Sequence, residues 1–402
     1  MYNFRAMEKL LKKLIQAETT PEKGELAAAE IIATELDRFG VDSHIDSWNE
    51  NRANITAHIK SAGQKGALLF VCHLDVVGPG ETGWQKPAFV PVERDGRIYG
   101  RGAADMKGGI AAIVTAIGQI VESGRKLQGD IIFVAAAGEE TDSCGAKRFI
   151  RDRGGQLPEL AGVIIPEPTD FAVVTAHRGI LWLNVTTKGK AAHSSSPQLG
   201  VNAISSMKSL LDQLENYRID FEPHPAPIER SRASGLRMPK SWSIGRSIGA
   251  GLGSCSMSIN TISGGKEINV VPDKCSIGID IRTLPGQNHQ QSIEDFEKIF
   301  AKLKQKNPEF DAEVIVVREA DALETDSNCG FVKDFCSCLG IIETKAVGFT
   351  TDGPYFASLG APVVIFGPGK PQLAHKPNEY IEIRDLQKGV DYYKDIIFKF
   401  CS

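Results

Sequence analysis

The sequence lacks any Cys-x-x-Cys pair, any cluster of like charge, any low-complexity tract and any internal repeat at a fixed period. Each absence removes a class of protein. Its eight cysteines fall at irregular positions, and Cys72, Cys275 and Cys336 sit inside apolar runs, so they read as buried thiols of a reducing compartment. Cys336 and Cys338, two residues apart, read the same way rather than as a metal site. A cytoplasmic location is the expectation. Lysine and arginine total 46 against 50 aspartates and glutamates, a formal net charge of −4, and the basic residues are dispersed. That pattern offers no footprint for nucleic acid or an anionic membrane. Residues 1–20 read as an amphipathic helix, with Leu10, Leu11, Leu14 and Ile15 interleaved by Lys9, Lys12 and Lys13, and lack the apolar core and cleavage site of a signal peptide. No stretch approaches the ~20 apolar residues of a membrane span.

What is present is length and hydrophobic residues enough for two cores: 402 residues, 42% of them hydrophobic. From residue 24 to about 178, helical segments (25–39, 110–123) alternate with short apolar runs at 67–71, 131–134 and 163–165. Runs of that length between helices predict strands buried on both faces of a mostly parallel sheet. The same grammar returns in a strand at 362–366 and a helix at 384–400. Between them lie strand 180–187, helix 202–217, strands 255–262 and 275–282, helix 292–305 and strand 312–317, the order of a split βαβ sandwich. The fold class is therefore α/β: a mixed, mostly parallel sheet domain (1–178 and 319–402) with an inserted α+β, ferredoxin-like domain (179–318). Residues 222–254, rich in Pro, Gly, Arg and Ser, form an excursion of no assigned role.

Metal-ligating side chains are scattered along this framework. His73 follows a strand directly, and Asp75 is placed to hydrogen-bond its far ring nitrogen. Asp105 lies in Gly100-Arg101-Gly102-Ala103-Ala104-Asp105-Met106-Lys107-Gly108-Gly109, where flanking glycines let backbone approach an ion. That loop lacks the Gly-Lys-Ser/Thr ending of a phosphate loop. Glu139 and Glu140 follow the strand at 131–134, Glu167 sits between Pro166 and Pro168 after the next strand, and His375 lies in the exit loop of the last. Singly, each has an ordinary explanation: a satisfied structural histidine, a solvated acidic loop. Jointly, they end strands of one sheet, at the edge where α/β folds place ligands. Two imidazoles and three carboxylates suit a pair of zinc ions sharing one ligand.

The stretches His73-Leu74-Asp75-Val76-Val77, 99–109, Gly138-Glu139-Glu140, Glu167-Pro168-Thr169, His177-Arg178-Gly179, His193-Ser194-Ser195, 280–286 and 367–380 resemble the zinc-dependent amidohydrolases and exopeptidases that include acetylornithine deacetylase, succinyl-diaminopimelate desuccinylase, aminoacylase and glutamate carboxypeptidase. The resemblance covers nearly the whole length. It implies that Asp105 bridges two Zn²⁺ (Co²⁺ or Mn²⁺ as substitutes), with His73 and Glu167 on one and Glu140 and His375 on the other. Glu139 is implied as general acid/base, moving a proton from water to the leaving amine. His193 is implied to reach a partner subunit's site and polarise the amide carbonyl, which requires a homodimer through the inserted domain. Arg282 and Asn269 resemble a clamp for the substrate carboxylate, a role suited to a guanidinium, and Thr350 is a further substrate-binding candidate. Without the resemblance, Arg282 reads as a strand arginine in a salt bridge and His193 as a loop histidine bonded to Ser194 or Ser195. The implied substrate is a small N-acyl amino acid: N-acetylornithine first, N-succinyl-diaminopimelate second, a peptide third. A catalytically silent ligand-binding relative is the non-enzyme alternative. The 222–254 segment and Thr350-Thr351-Asp352-Gly353-Pro354-Tyr355 depart from the simplest deacetylase pattern.

Overall fold

In the computed structural model, residues 4–215, 217 and 252–402 are described. The 222–254 excursion lies almost wholly outside them. The chain forms two compact units, one of residues 1–176, 324–346 and 351–402, the other of 177–323 and 347–350.

The first unit is built on a nine-stranded sheet. Its middle is Gly129–Ala136, Lys65–His73, Leu160–Ile165 and Val363–Ile365, neighbours in that order and mutually parallel. These are the continuous apolar runs of the sequence, and they are buried on both faces: Leu68, Leu69, Phe70 and Ile131 to Ala136 have almost no exposed surface. Antiparallel strands extend the sheet on either side, including Ser43–Trp48 on Arg52–Ile59. That flank was invisible in the sequence pattern because Ser43–Trp48 is half-buried edge and carries few apolar residues.

Parallel strands all end on the same side, so His73, the turn after Ala136, Glu167 and the loop after Ile365 converge at one edge. Asp105 arrives differently. It comes from the turn Ala103–Lys107 that opens helix Gly108–Glu122, rather than from a strand end as the sequence pattern suggested. That helix needs glycine at its start: a Cβ on Gly109 would lie 2.2 Å from the Pro166 carbonyl oxygen, so only glycine lets the helix approach the segment bearing Glu167. Residues 103–122 also correct the membrane expectation. By length and composition they are apolar enough to cross a membrane, but most of them are buried inside the fold, where the segment packs as part of the core.

In the second unit the order is strand Gly179–Lys188, helix Ala203–Leu214, strands Ser256–Gly264 and Lys274–Thr283, helix His289–Lys306, strand Asp311–Ala320. The four strands pair antiparallel. Lys274–Thr283 shows the period of two: Cys275, Ile277, Ile279 and Ile281 are buried with Leu210 and Phe296 of the helices, while Ser276, Gly278, Asp280 and Arg282 take the other face. Asn202 caps the first helix through the N–H groups of Ile204 and Ser205, at 3.0 and 3.1 Å.

Candidate metal centre

His73, the last residue of its strand, is almost fully buried. Its Nδ1 lies 3.0 Å from the Asp75 carbonyl oxygen. A carbonyl only accepts, so Nδ1 carries the hydrogen and Nε2 faces inward, 3.1 Å from Asp105 Oδ1 and 3.4 Å from Glu167 Oε1. The Asp75 carboxylate, which the sequence pattern suggests for this orienting role, lies 3.6 Å from the same ring nitrogen. That carboxylate also accepts the backbone N–H groups of Gly138, Glu139 and Glu140 at 2.9, 3.1 and 3.0 Å. Burial alone would raise the Asp75 pKa; the His73 ring and the Glu140 N–H outweigh it and hold the carboxyl below its usual range. Asp75 thus fixes the turn that presents both acids. Gly138 in that turn has φ +79°, a conformation side chains rarely adopt.

Asp105 divides its two oxygens. Oδ1 faces His73, and Oδ2 lies 3.3 Å from Nε2 of His375, whose own nearer partner is Glu140 Oε1 at 2.8 Å. Two triads result, His73–Asp105–Glu167 and Asp105–Glu140–His375, each with its ligand atoms within 4.8 Å of one another. All five metal candidates of the sequence come together. Glu139 is buried beside them and interacts electrostatically with His73, Glu140 and Glu167.

The charges of these side chains alone are poorly balanced. Burial pushes Glu139 and Glu167 well above the ordinary carboxylate range, and burial with the Asp105 charge raises Glu140. Burial works against the His73 imidazolium, but Glu167 and Asp105 overcome it and raise that ring strongly. Hydrogen bonds donated to the Asp105 and Glu140 carboxylates raise His375 to about 10. Crowded carboxylates that draw protons onto facing imidazoles mark a place where cations are favoured. The donor set, two ring nitrogens and three carboxylates around a shared aspartate, fits a pair of divalent ions of the zinc, cobalt or manganese type.

Two further residues hold the cage, and sequence reasoning missed both. Glu379 Oε1 accepts the N–H groups of Ala104 and Asp105 at 2.9 and 3.1 Å, and Oε2 pairs with Arg101 Nη1 at 2.7 Å. Both lie in stretches singled out above, but charged residues in glycine-rich loops ordinarily face water. The only available signal was a glutamate four residues after His375.

The remaining candidates belong to the second unit. His193 is exposed, and the Ser195 N–H donates to its Nδ1 at 3.1 Å, which places the ring hydrogen on Nε2 as an outward donor. The Ser194 N–H donates to the Asn269 carbonyl at 3.0 Å, so the loops carrying His193 and Asn269 are joined. Arg282 forms an ion pair with Asp280, its Nε and Nη2 both donating to Oδ2 at 3.2 and 3.0 Å. Thr350 Oγ1 donates to the Arg178 carbonyl at 2.7 Å. Arg282 and His193 therefore make the ordinary contacts that the sequence alone allowed for. A third group, His289 with Glu319 at 3.1 Å and Asp321 at 4.0 Å, sets a buried ring against carboxylates that are largely exposed.

A family model described as peptidase family M20/M25/M40 matches residues 69–399. The chain is 31% identical over 419 residues to a Staphylococcus aureus (strain MSSA476) protein named "Probable succinyl-diaminopimelate desuccinylase", covering 100% of this chain and 99% of that one. It is 27% identical over 402 residues to an acetylornithine deacetylase of Myxococcus xanthus, covering 99% and 98%. Among solved structures, an M20 family metallo-carboxypeptidase from Sulfolobus solfataricus aligns with a TM-score of 0.77 at 20% identity, over 98% of each chain. At that identity the likeness is one of fold.

Proposed function

The chain belongs to peptidase family M20/M25/M40, whose members are metal-dependent hydrolytic enzymes, and from that premise we propose that it hydrolyses the amide bond of an N-acyl amino acid at a two-zinc site. The observation that supports this most is the division of Asp105: one oxygen toward each imidazole, each imidazole with its own glutamate. His73 and Glu167 would hold one ion, Glu140 and His375 the other, and Asp105 both. Bound ions would supply Lewis acidity to a water and to the amide carbonyl.

Glu139 is the proton carrier of this reading. Its carboxylate is buried beside the cage, where it would accept a proton from water and return it to the departing amine. Asp75 keeps Glu139 in place through its backbone N–H. His193, with its hydrogen on Nε2, is a donor for the carbonyl oxygen of a substrate in a partner subunit of a homodimer. Arg282 would give its second face to the substrate carboxylate, with Asn269 and Thr350 as neighbouring contacts.

The motifs at Glu167-Pro168-Thr169, 193–203 and 367–375 favour N-acetylornithine as substrate. The relatives named as desuccinylases favour N-succinyl-diaminopimelate. A panel of N-acetyl-ornithine, N-succinyl-diaminopimelate and dipeptides, with zinc or cobalt added, decides between them. One N-acyl amino acid is expected to be cleaved well above the rest, with kcat reduced about 100- to 10,000-fold in Glu139→Gln. Ligand binding without cleavage of any member would replace this reading with that of a silent binding relative.

A further inference from the structure

Arg101 and Glu379 are 2% and 1% exposed, an ion pair removed from water beside the cage, yet neither supplies a ligand atom to it. A buried pair of this kind is costly to desolvate and persists where its remaining hydrogen bonds are met. Here all but one of them, the buried Arg101 Nε, are met by the backbone of three loops. Glu379 accepts the two N–H groups at Ala104 and Asp105. Arg101 Nη2 donates to the Gly78 and His375 carbonyls, both at 3.3 Å, and Nη1 to the Lys376 carbonyl at 3.4 Å. The guanidinium also lies over the Trp84 ring, 5.2 Å from its centroid.

The consequence concerns His375. Its φ is +62°, a conformation that residues other than glycine adopt only when their surroundings hold them there, and its side chain is half exposed. His73 needs no such help, since it ends a strand buried among others. We propose that Arg101 and Glu379 are positioning residues, a brace that sets the Asp105 loop and the His375 loop at their binding separation before any metal arrives. Glu379 does for Asp105 what Asp75 does for Glu140: a buried carboxylate from a distant segment gathers backbone N–H groups and so aims the side chain of a residue whose N–H it holds. Arg101 ties that arrangement to the carbonyl of His375 on the far side of the cage. The proposal rests on the metal-site reading above, but its primary readout does not.

Hydrogen exchange of the metal-free wild type is that readout. The amides of Ala104 and Asp105 are expected to be protected without metal, and to exchange at least about tenfold faster in Glu379→Gln and Arg101→Lys, since a protected amide reports a closed hydrogen bond. Zinc dissociation constants from chelator competition are expected to rise about 10- to 100-fold in both variants, as for other residues that orient ligands. If the wild-type amides exchange freely until zinc is added, the metal orders the loop and the proposal is overturned. Unchanged zinc affinity in a folded variant overturns it equally. Should Glu379→Gln fail to fold, wild-type exchange and Arg101→Lys decide. Failure of the wild type to bind zinc would count against the proposed function and leave the exchange result standing.

Discussion

His177 and His375 titrate in opposite directions, and the difference lies in what surrounds each ring. Asp105 and Glu140 raise His375 to about 10, whereas burial lowers His177 to about 4, its Nδ1 lying 2.8 Å from the Arg178 carbonyl oxygen. An unfolded histidine titrates near 6.5. Between pH 6.5 and 4 the unfolded chain therefore binds the His177 proton and the folded chain does not, so the stability held by neutral His177 is complete above 6.5 and is lost as pH falls toward 4. At about 1.4 kcal/mol per unit the loss is about 3 kcal/mol. Denaturant unfolding of wild type and His177→Gln from pH 7 to 4 should show curves whose difference changes by that order; parallel curves would mean that the ring is solvated when folded.

At the scale of elements, the site is the meeting of strand ends with turns, and legibility follows that division. His73 and Glu167 could be read because each directly follows an apolar run that ends a parallel strand. The work of Asp75, Arg101 and Glu379 could not, because it is done through backbone N–H and carbonyl groups of distant loops, which side-chain patterns do not encode. Asp75 is a clear test of this kind of joint. In Asp75→Asn, an amide oxygen can still accept from Gly138 and Glu139, but the NH₂ would face the Glu140 N–H now bonded to Oδ2 at 3.0 Å. Two donors would then oppose each other and displace Glu140. Zinc affinity is expected to fall about 10- to 100-fold with secondary structure retained; chelator competition and circular dichroism check both halves. An unchanged dissociation constant would remove Asp75 from the account.

At the scale of the molecule, the alternation of helices and apolar runs gave the α/β class, and the strand–helix–strand–strand–helix–strand order gave the architecture of the second unit. The boundaries were less legible: residues 347–350 join the second unit although their sequence neighbours belong to the first. The proposed homodimer makes a prediction that a single chain cannot satisfy. If His193 serves the partner's site in a symmetric dimer, His193→Ala and Glu139→Gln chains are each inactive alone, but a mixed dimer assembles one complete site. Activity should return on co-expression. No recovery would place both residues in service of the same chain's site, and a His193→Ala chain active alone would remove His193 from the reaction.

The shared aspartate is the point on which the rest depends, and counting bound ions tests it most directly. Purified wild type, equilibrated with zinc and freed of excess, should carry two ions per chain by elemental analysis. Asp105→Ala should lose both tightly bound ions and N-acyl amino acid hydrolysis together, because one side chain faces both imidazoles. Two ions retained per chain in Asp105→Ala would contradict the account.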